Sequence, residues 1–445
     1  MRKSLFTILS LIAILFTACK KDRLDELKGV DANFQLHFTT DIKDLGLSFK
    51  NAELTLTNKT DGRILNGKAD SLGRVILESV TPGNYSIVAT MTIQPTDYLA
   101  ATGSTIAQEL VFNGSLETNI LNGVGVLNID LKSGTVGNWL LKQIYYGGSS
   151  TSNGAVFRDQ FIEIYNNSNQ VLYADSLYIS QVFGKNTRVS SVDITQPAYQ
   201  SNGQLNWEKS IGMKESNPNT DYVYMKSILM IPGNGKQYPV QPGKSIIIAQ
   251  NALNHKASYV GADDEPVTVK DPSLTVDLFK ADFETYYGDL EGINPLASDI
   301  DNPLVPNVKV LARGGDRDMI LNSNGYEAIV IFKMSAPITS LSQYVSPEIT
   351  AVSATSTYYR QLPIKSIIDG VDIAHTTASS RAAKRLPDPI DAGFAFTLGG
   401  SYSSHSVMRR ASKTVDGRVI LKDTNNSSQD FISIPMADAT KSVFK

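Results

Sequence analysis

Asp299, Asp301 and Asn302 gather several oxygen donors in one short stretch, and hard cations such as calcium prefer oxygen ligands. The stretch lacks the glycine and distal glutamate of an EF-hand loop, and Asp-Asn-Pro is also ordinary turn chemistry. Calcium ligation and a plain turn are thus both open there, and no other cofactor is expected. Asp282 and Glu284 alternate, so a strand would place them on one face, and two carboxylates converging in a cleft could hydrolyse a glycoside. His37, His255, His375 and His405 are scattered and form no HExxH pair, which argues against a histidine-built zinc or haem site. Ser403-Ser404-His405-Ser406 sets hydroxyls beside an imidazole without a G-x-S-x-G elbow, and Gly147-Gly148-Ser149-Ser150 and Gly399-Gly400-Ser401 lack the phosphate-cradling pattern of a P-loop. Asp263-Asp264-Glu265 reads as a solvated loop. Trp207, Tyr222 and Tyr224 could face a sugar or a protein partner, although core packing is the commoner use of aromatics. In Tyr286-Tyr287 and Tyr358-Tyr359 a strand would turn the two rings to opposite faces, leaving one exposed.

The elements that must position these groups are read from composition and pattern. A chain of 445 residues implies two or three domains at the usual domain size of ~100–200 residues. The 42% hydrophobic and 19% charged fractions are those of a chain with a packed core. A net charge of -3 carries no large field, so no nucleic-acid partner is expected. The single cysteine, Cys19, can form no intramolecular disulfide and no cysteine-based zinc site.

Arg2 and Lys3 precede an apolar run from Leu5 to Phe16, too short for the ~20 residues of an ordinary membrane span and suited to a signal-peptide core. Leu15-Phe16-Thr17-Ala18-Cys19 resembles a bacterial lipobox, with Phe16 departing from the usual aliphatic residue. That resemblance implies a signal peptide over 1–18 and a lipid anchor on Cys19, with 19–30 as anchor and linker. The chain would then be held to a membrane by acyl groups, each buried CH₂ contributing ~0.8 kcal/mol. The charged tract Lys20-Lys21-Asp22-Arg23-Leu24-Asp25-Glu26 resembles those that send Bacteroidota lipoproteins to the cell surface, although such tracts are usually more acidic. An outer-membrane, surface-displayed position is the expectation, and a periplasm-facing one the alternative.

Between residues 31 and 133, Phe34, Leu36 and Phe38, then Leu54 and Leu56, alternate with polar residues as half-buried strands do, and Asp61-Gly62, Leu72-Gly73 and Pro82-Gly83-Asn84 supply turns. A small antiparallel sandwich is expected. The run Asp70-Ser71-Leu72-Gly73-Arg74-Val75 followed by Pro82-Gly83-Asn84-Tyr85 resembles the carboxypeptidase regulatory-like, transthyretin-type sandwich, which implies a non-catalytic spacer with Tyr85 in the core.

Over 134–445, Gln160-Phe161-Ile162-Glu163-Ile164-Tyr165-Asn166-Asn167-Ser168 combines strand alternation with a polar turn. This phrase, with Val240-Gln241-Pro242-Gly243-Lys244-Ser245-Ile246-Ile247-Ile248-Ala249 and the closing segments Ser406–Arg410 and Asp423–Phe431, resembles lamin-tail-type immunoglobulin-like domains carrying long insertions. The fold class expected is mainly β: an immunoglobulin/transthyretin-like sandwich followed by a larger β-rich, lamin-tail-like domain. The whole chain, with Asp282-Phe283-Glu284 and Asp299–Asn307, resembles an uncharacterised Bacteroidota lipoprotein family, domain-of-unknown-function family 4876. The resemblance brings no catalytic residue. It implies a non-enzymatic accessory at the outer membrane, partnered with a TonB-dependent receptor in uptake of a nutrient such as metal or haem. Surface adhesion or assembly is the alternative, and a carbohydrate-active hydrolase the weaker one.

Overall fold

The computed structural model describes residues 29–38, 46–103, 109–134, 138–415 and 417–445. The apolar segment, Cys19 and the charged tract lie outside the described residues. Among those that are described, no helix is long and apolar enough to cross a membrane.

The first alternation becomes β1 (Val30–Phe38), whose Ala32, Phe34 and Leu36 turn into a core while their polar neighbours face outward. β1 joins a seven-stranded sheet with β2 (Glu53–Asn58), β3 (Ile64–Lys68), β4 (Arg74–Val80), β5 (Gly83–Ile93), β6 (Leu110–Ile120) and β7 (Leu127–Gly134), in the order β3-β2-β5-β6-β7-β1-β4. Asp70 accepts from the amides of Leu72 and Arg74, and Gly73 takes φ 83°, which makes the tight turn into β4. Tyr85 is a core residue, its hydroxyl donating to the Thr81 carbonyl at 2.8 Å.

One feature departs from the expected antiparallel sandwich, since β1 and β7 pair in parallel. A parallel pair cannot be joined by a hairpin, and here the strands between them form the crossover. The sheet also curls on itself. A Cβ added at Gly67 on edge strand β3 would sit 2.7 Å from Val75 on edge strand β4, so the missing side chain lets the edges approach.

The larger unit begins with β8 (Trp139–Tyr145) and is built on two stacked sheets. One has the order β18 (Phe283–Glu284), β15 (Ser245–Ala249), β9 (Phe161–Asn166), β8, β24 (Ser406–Arg409), β27 (Phe431–Ile434). The other runs β19 (Lys309–Ala312), β13 (Ile228–Met230), β11 (Tyr178–Gln181), β20 (Glu327–Phe332), β23 (Ile367–Ile373). Ile162, Ile164, Ile246 and Ile248 of the first sheet meet Ile179, Ile329, Ile331 and Val371 of the second in one core. The second sheet is also covered on its far side. There Val330 and Phe332 pack with Val223 and Leu362 from β12 (Tyr222–Met225) and β22 (Tyr358–Pro363), which with β21 (Gln343–Val345) form a third sheet. Burial on both faces explains the unbroken apolar run of β20.

The phrases singled out in the sequence meet here. β9 pairs with β15 in register Tyr165↔Ser245 to Phe161↔Ala249, and Asn166 closes the pair by donating to the carbonyls of Gln170 and Val240 at 2.8 Å each. Glu163 is the fully buried counter-ion of Lys142 at 2.9 Å. β24 pairs with β27 and carries Arg409, whose guanidinium lies against Asp369, Asp423 and Asp430, all buried.

Candidate functional site

Thr57 on β2, Ser86 on β5 and Glu117 on β6 are neighbours across three strands, and Asn84 lies opposite Asn119 one step along. They occupy the outward positions of strands whose alternate residues build the core, so this face is polar. It forms one wall of a cleft of about 800 Å3 between the two units. The other wall comes from the larger unit, with Phe183–Lys185, Gln200–Leu205, Trp207, Asn219, Thr220, Tyr222–Tyr224 and residues 378–379 and 381–388. At its margin the units are joined by hydrogen bonds. Ser115 donates to the Asp388 carboxylate at 2.7 and 2.8 Å, Asn113 to the Thr424 carbonyl at 2.8 Å, and Asn426 to the Thr90 hydroxyl at 2.9 Å.

Trp207 stacks on Tyr224 with ring centroids 3.4 Å apart and Phe183 on Tyr359 at 3.7 Å, a rigid aromatic base beneath the second wall. Asn219 fixes the Trp207 backbone by accepting from its amide at 2.7 Å, and Tyr224 donates to the Pro218 carbonyl. Burial raises the Tyr224 hydroxyl well above its ordinary value, so it remains a neutral donor. Sequence reasoning left Trp207, Tyr222 and Tyr224 open between a ligand-facing role and the commoner core packing; Trp207 and Tyr224 are buried in an aromatic core with Tyr222 packed against it, and all three border this cleft.

Arg381 was missed. Its guanidinium lies over the rings of Phe394 and Phe396, 5.2 and 4.6 Å from their centroids, and its Nε donates to the His375 carbonyl at 3.1 Å. Burial lowers its pKa to about 10, against the opposing charge of Glu117. The available signal was the pair Phe394 and Phe396, which in an extended segment present both rings to one side, next to the basic stretch Arg381-Ala382-Ala383-Lys384-Arg385.

The other candidates are held apart. Asp299 accepts from the Tyr287 amide at 2.9 Å, exposed Asp301 accepts from Asn307, and Asn302 uses its amide on the Ala252 carbonyl and its oxygen on the Leu304 amide. The three side chains thus have separate protein partners, and the second Asp299 oxygen is buried without one. Among the described residues no group of three or more His, Cys, Asp or Glu side chains is placed to hold a metal ion. Glu284 is spent on the amides of Ala252 and Asn302 at 2.7 and 2.6 Å, and Asp282 on the Ile247 amide and Lys441 at 2.7 and 2.6 Å. Burial pushes Glu284 up to about 7, yet neither carboxylate lines the cleft.

The histidines do not converge. His37 meets Asn128, His255 the Asn251 carbonyl, His375 the Thr377 amide and His405 the Ser433 hydroxyl. Burial lowers His255 to about 4, which keeps it neutral. The hydroxyls of Ser403, Ser404 and Ser406 donate to the carbonyls of Gly400, Leu274 and Ile144, so none of these three is paired with the His405 imidazole. Asp263, Asp264 and Glu265 are exposed, while Tyr358 is exposed and Tyr359 buried, as alternation requires.

No curated protein matches the chain. A crystal structure of a DUF4876 family protein from Bacteroides thetaiotaomicron is similar at 23% identity and a TM-score of 0.50, covering 94% of this chain and 98% of that one. It shares the fold. Two candidate adhesins from Bacteroides ovatus align over 34% and 52% of this chain, and over 54% and 86% of their own, at 9% and 11% identity. Their TM-scores of 0.17 and 0.19 carry no inference. Residues 241–436 match the sequence pattern of DUF4876, a family of proteins of unknown function.

Proposed function

We propose that the protein is a tethered, non-enzymatic binding component of the cell envelope, held by lipid on Cys19, whose ligand sits in the cleft between the sandwich and the larger unit. The observation that carries this reading is the cleft itself. Its volume of about 800 Å3 falls in the range of small-ligand sites, ~300–1,000 Å3, and both units contribute side chains to it. The carboxylates, histidines and serines that could have done chemistry are tied to backbone or structural partners elsewhere, which favours binding over turnover.

The lipobox resemblance supports the tether, and the family resemblance directs the search for a partner to TonB-dependent receptors at the outer membrane. The test is affinity isolation of the lipidated full-length protein from its native envelope in mild detergent, with Cys19→Ala as control. Recovery of a TonB-dependent receptor with the lipidated form alone supports an uptake accessory. Recovery of surface-fibre or matrix proteins instead would move the reading to attachment, and equal behaviour of the Cys19→Ala protein would refute the tether.

A further inference from the structure

The cleft is lined by five cationic side chains, Lys59, Lys185, Arg381, Lys384 and Arg385, against two carboxylates, Glu117 and Asp388, although the chain as a whole carries a net charge of -3. Most of these cations are already satisfied. Lys59 pairs with Glu117, Lys185 with Glu348 and Lys384 with Asp388, while Arg385 donates to the carbonyls of Lys185 and Tyr326 and to Asn186. Arg381 differs. No carboxylate lies within ion-pair distance of it, and its two terminal nitrogens have no hydrogen-bond partner among the described residues. Two phenyl rings hold its guanidinium plane in place. A planar, oriented fork with free N–H groups is the arrangement that recognises a carboxylate.

From the geometry we infer that the cleft binds an acidic oligosaccharide, with a sugar carboxylate on Arg381; this rests on the cleft being the binding site. The facing wall favours a sugar over a peptide. Side chains it contributes are hydroxyl, amide or charged, with Tyr85 turned into the core, so it offers no apolar pocket of the kind that anchors a peptide. The side-chain amides of Asn84 and Asn119, facing each other across β5 and β6, and the Trp207 indole N–H have no protein partner among the described residues. An amide both donates and accepts, as does a sugar hydroxyl.

The test is calorimetric titration of the lipidated full-length protein in mild detergent with a short oligogalacturonate, its methyl ester, and a poly-glutamate of similar charge. The expected result is saturable binding of the oligogalacturonate that weakens with added salt and falls about tenfold or more for the methyl ester. Arg381→Gln should weaken binding by a similar factor, and Arg381→Lys, which keeps the charge without the fork, by less. Asn119→Ala on the exposed face of the sandwich gives a second variant that leaves both cores untouched and should also weaken binding. Equal affinity for acid and ester overturns the inference while leaving the cleft as a binding site. Tighter binding of poly-glutamate overturns the sugar class. Failure of the acid to bind overturns the inference outright, and Trp207-dependent binding of the neutral ester then decides whether the cleft reading falls with it.

Discussion

Replacing Arg409 with methionine should destabilise the larger unit by about 3–5 kcal/mol, because it leaves three carboxylates buried together with no cation. The guanidinium makes two bonds to Asp369 at 2.7 and 2.9 Å, one to Asp423 at 3.2 Å, and further bonds to the carbonyls of Leu141 and Lys422. Its side chain is only 2% exposed, so water cannot replace those donors. Burial and the nearby Asp423 charge already hold Asp369 and Asp430 near 7 despite Arg409. Without the cation the loss should grow as pH rises, since the carboxyls then ionise readily only in the unfolded chain. The assay is denaturant unfolding followed by tryptophan fluorescence. Both tryptophans, Trp139 and Trp207, lie in the larger unit, so the signal reports that unit alone. A companion Arg409→Met/Asp369→Asn variant should recover part of the loss. A single variant that loses less than about 1 kcal/mol would refute the reasoning, since that is the scale of a solvated surface pair.

Three further predictions follow from particular contacts. Asp299→Asn should stabilise the fold at pH 8 and have little effect at pH 4. Burial, reinforced by the nearby Asp318 charge, raises the Asp299 carboxyl from 3.8 to about 7, so the folded chain holds a proton the unfolded one has lost, and stability falls as pH climbs through that window. A gain of roughly 1–2 kcal/mol after solvent screening is expected, read as a shallower stability-against-pH slope. Gly243→Ala should cost about 1 kcal/mol or more, because φ is +74° and the added Cβ would lie 2.7 Å from Arg418; its thermal midpoint against wild type checks this. Asn113→Ala removes the bond to the Thr424 carbonyl that joins the units and the acceptor of the Thr90 hydroxyl that receives Asn426, and should separate the sandwich's transition from that of the larger unit in calorimetry.

The strands were legible where one face is buried. Phe34 and Leu36, or Leu54 and Leu56, alternate because solvent lies on the other side. The parallel β1–β7 pairing was not, since alternation fixes which face is buried but not which strand lies alongside. Glu163 read as the acidic member of a recognisable phrase, and its partner Lys142 could not be read because ion pairing depends on β8 lying beside β9. The cleft shows the same division. Trp207, Tyr222 and Tyr224 stood out as aromatic side chains near one another in sequence, whereas Asn84 and Asn119 meet only through the pairing of β5 with β6, and Arg381 joins them only where the two units face each other. The acidic stretch at Asp299 drew attention by composition; Asp299, Asp301 and Asn302 each give one oxygen to an amide of the surrounding loops, and the second Asp299 oxygen is buried without a partner.

Hydrogen exchange of the lipidated full-length protein with and without oligogalacturonate tests most directly whether the space between the units is where ligand binds. Slowed exchange should appear together on both walls, at residues 84–86 and 115–119 of the sandwich and at 200–207, 219–224 and 378–388 of the larger unit. Protection confined to one unit, or located away from these segments while the ligand is bound, would contradict it.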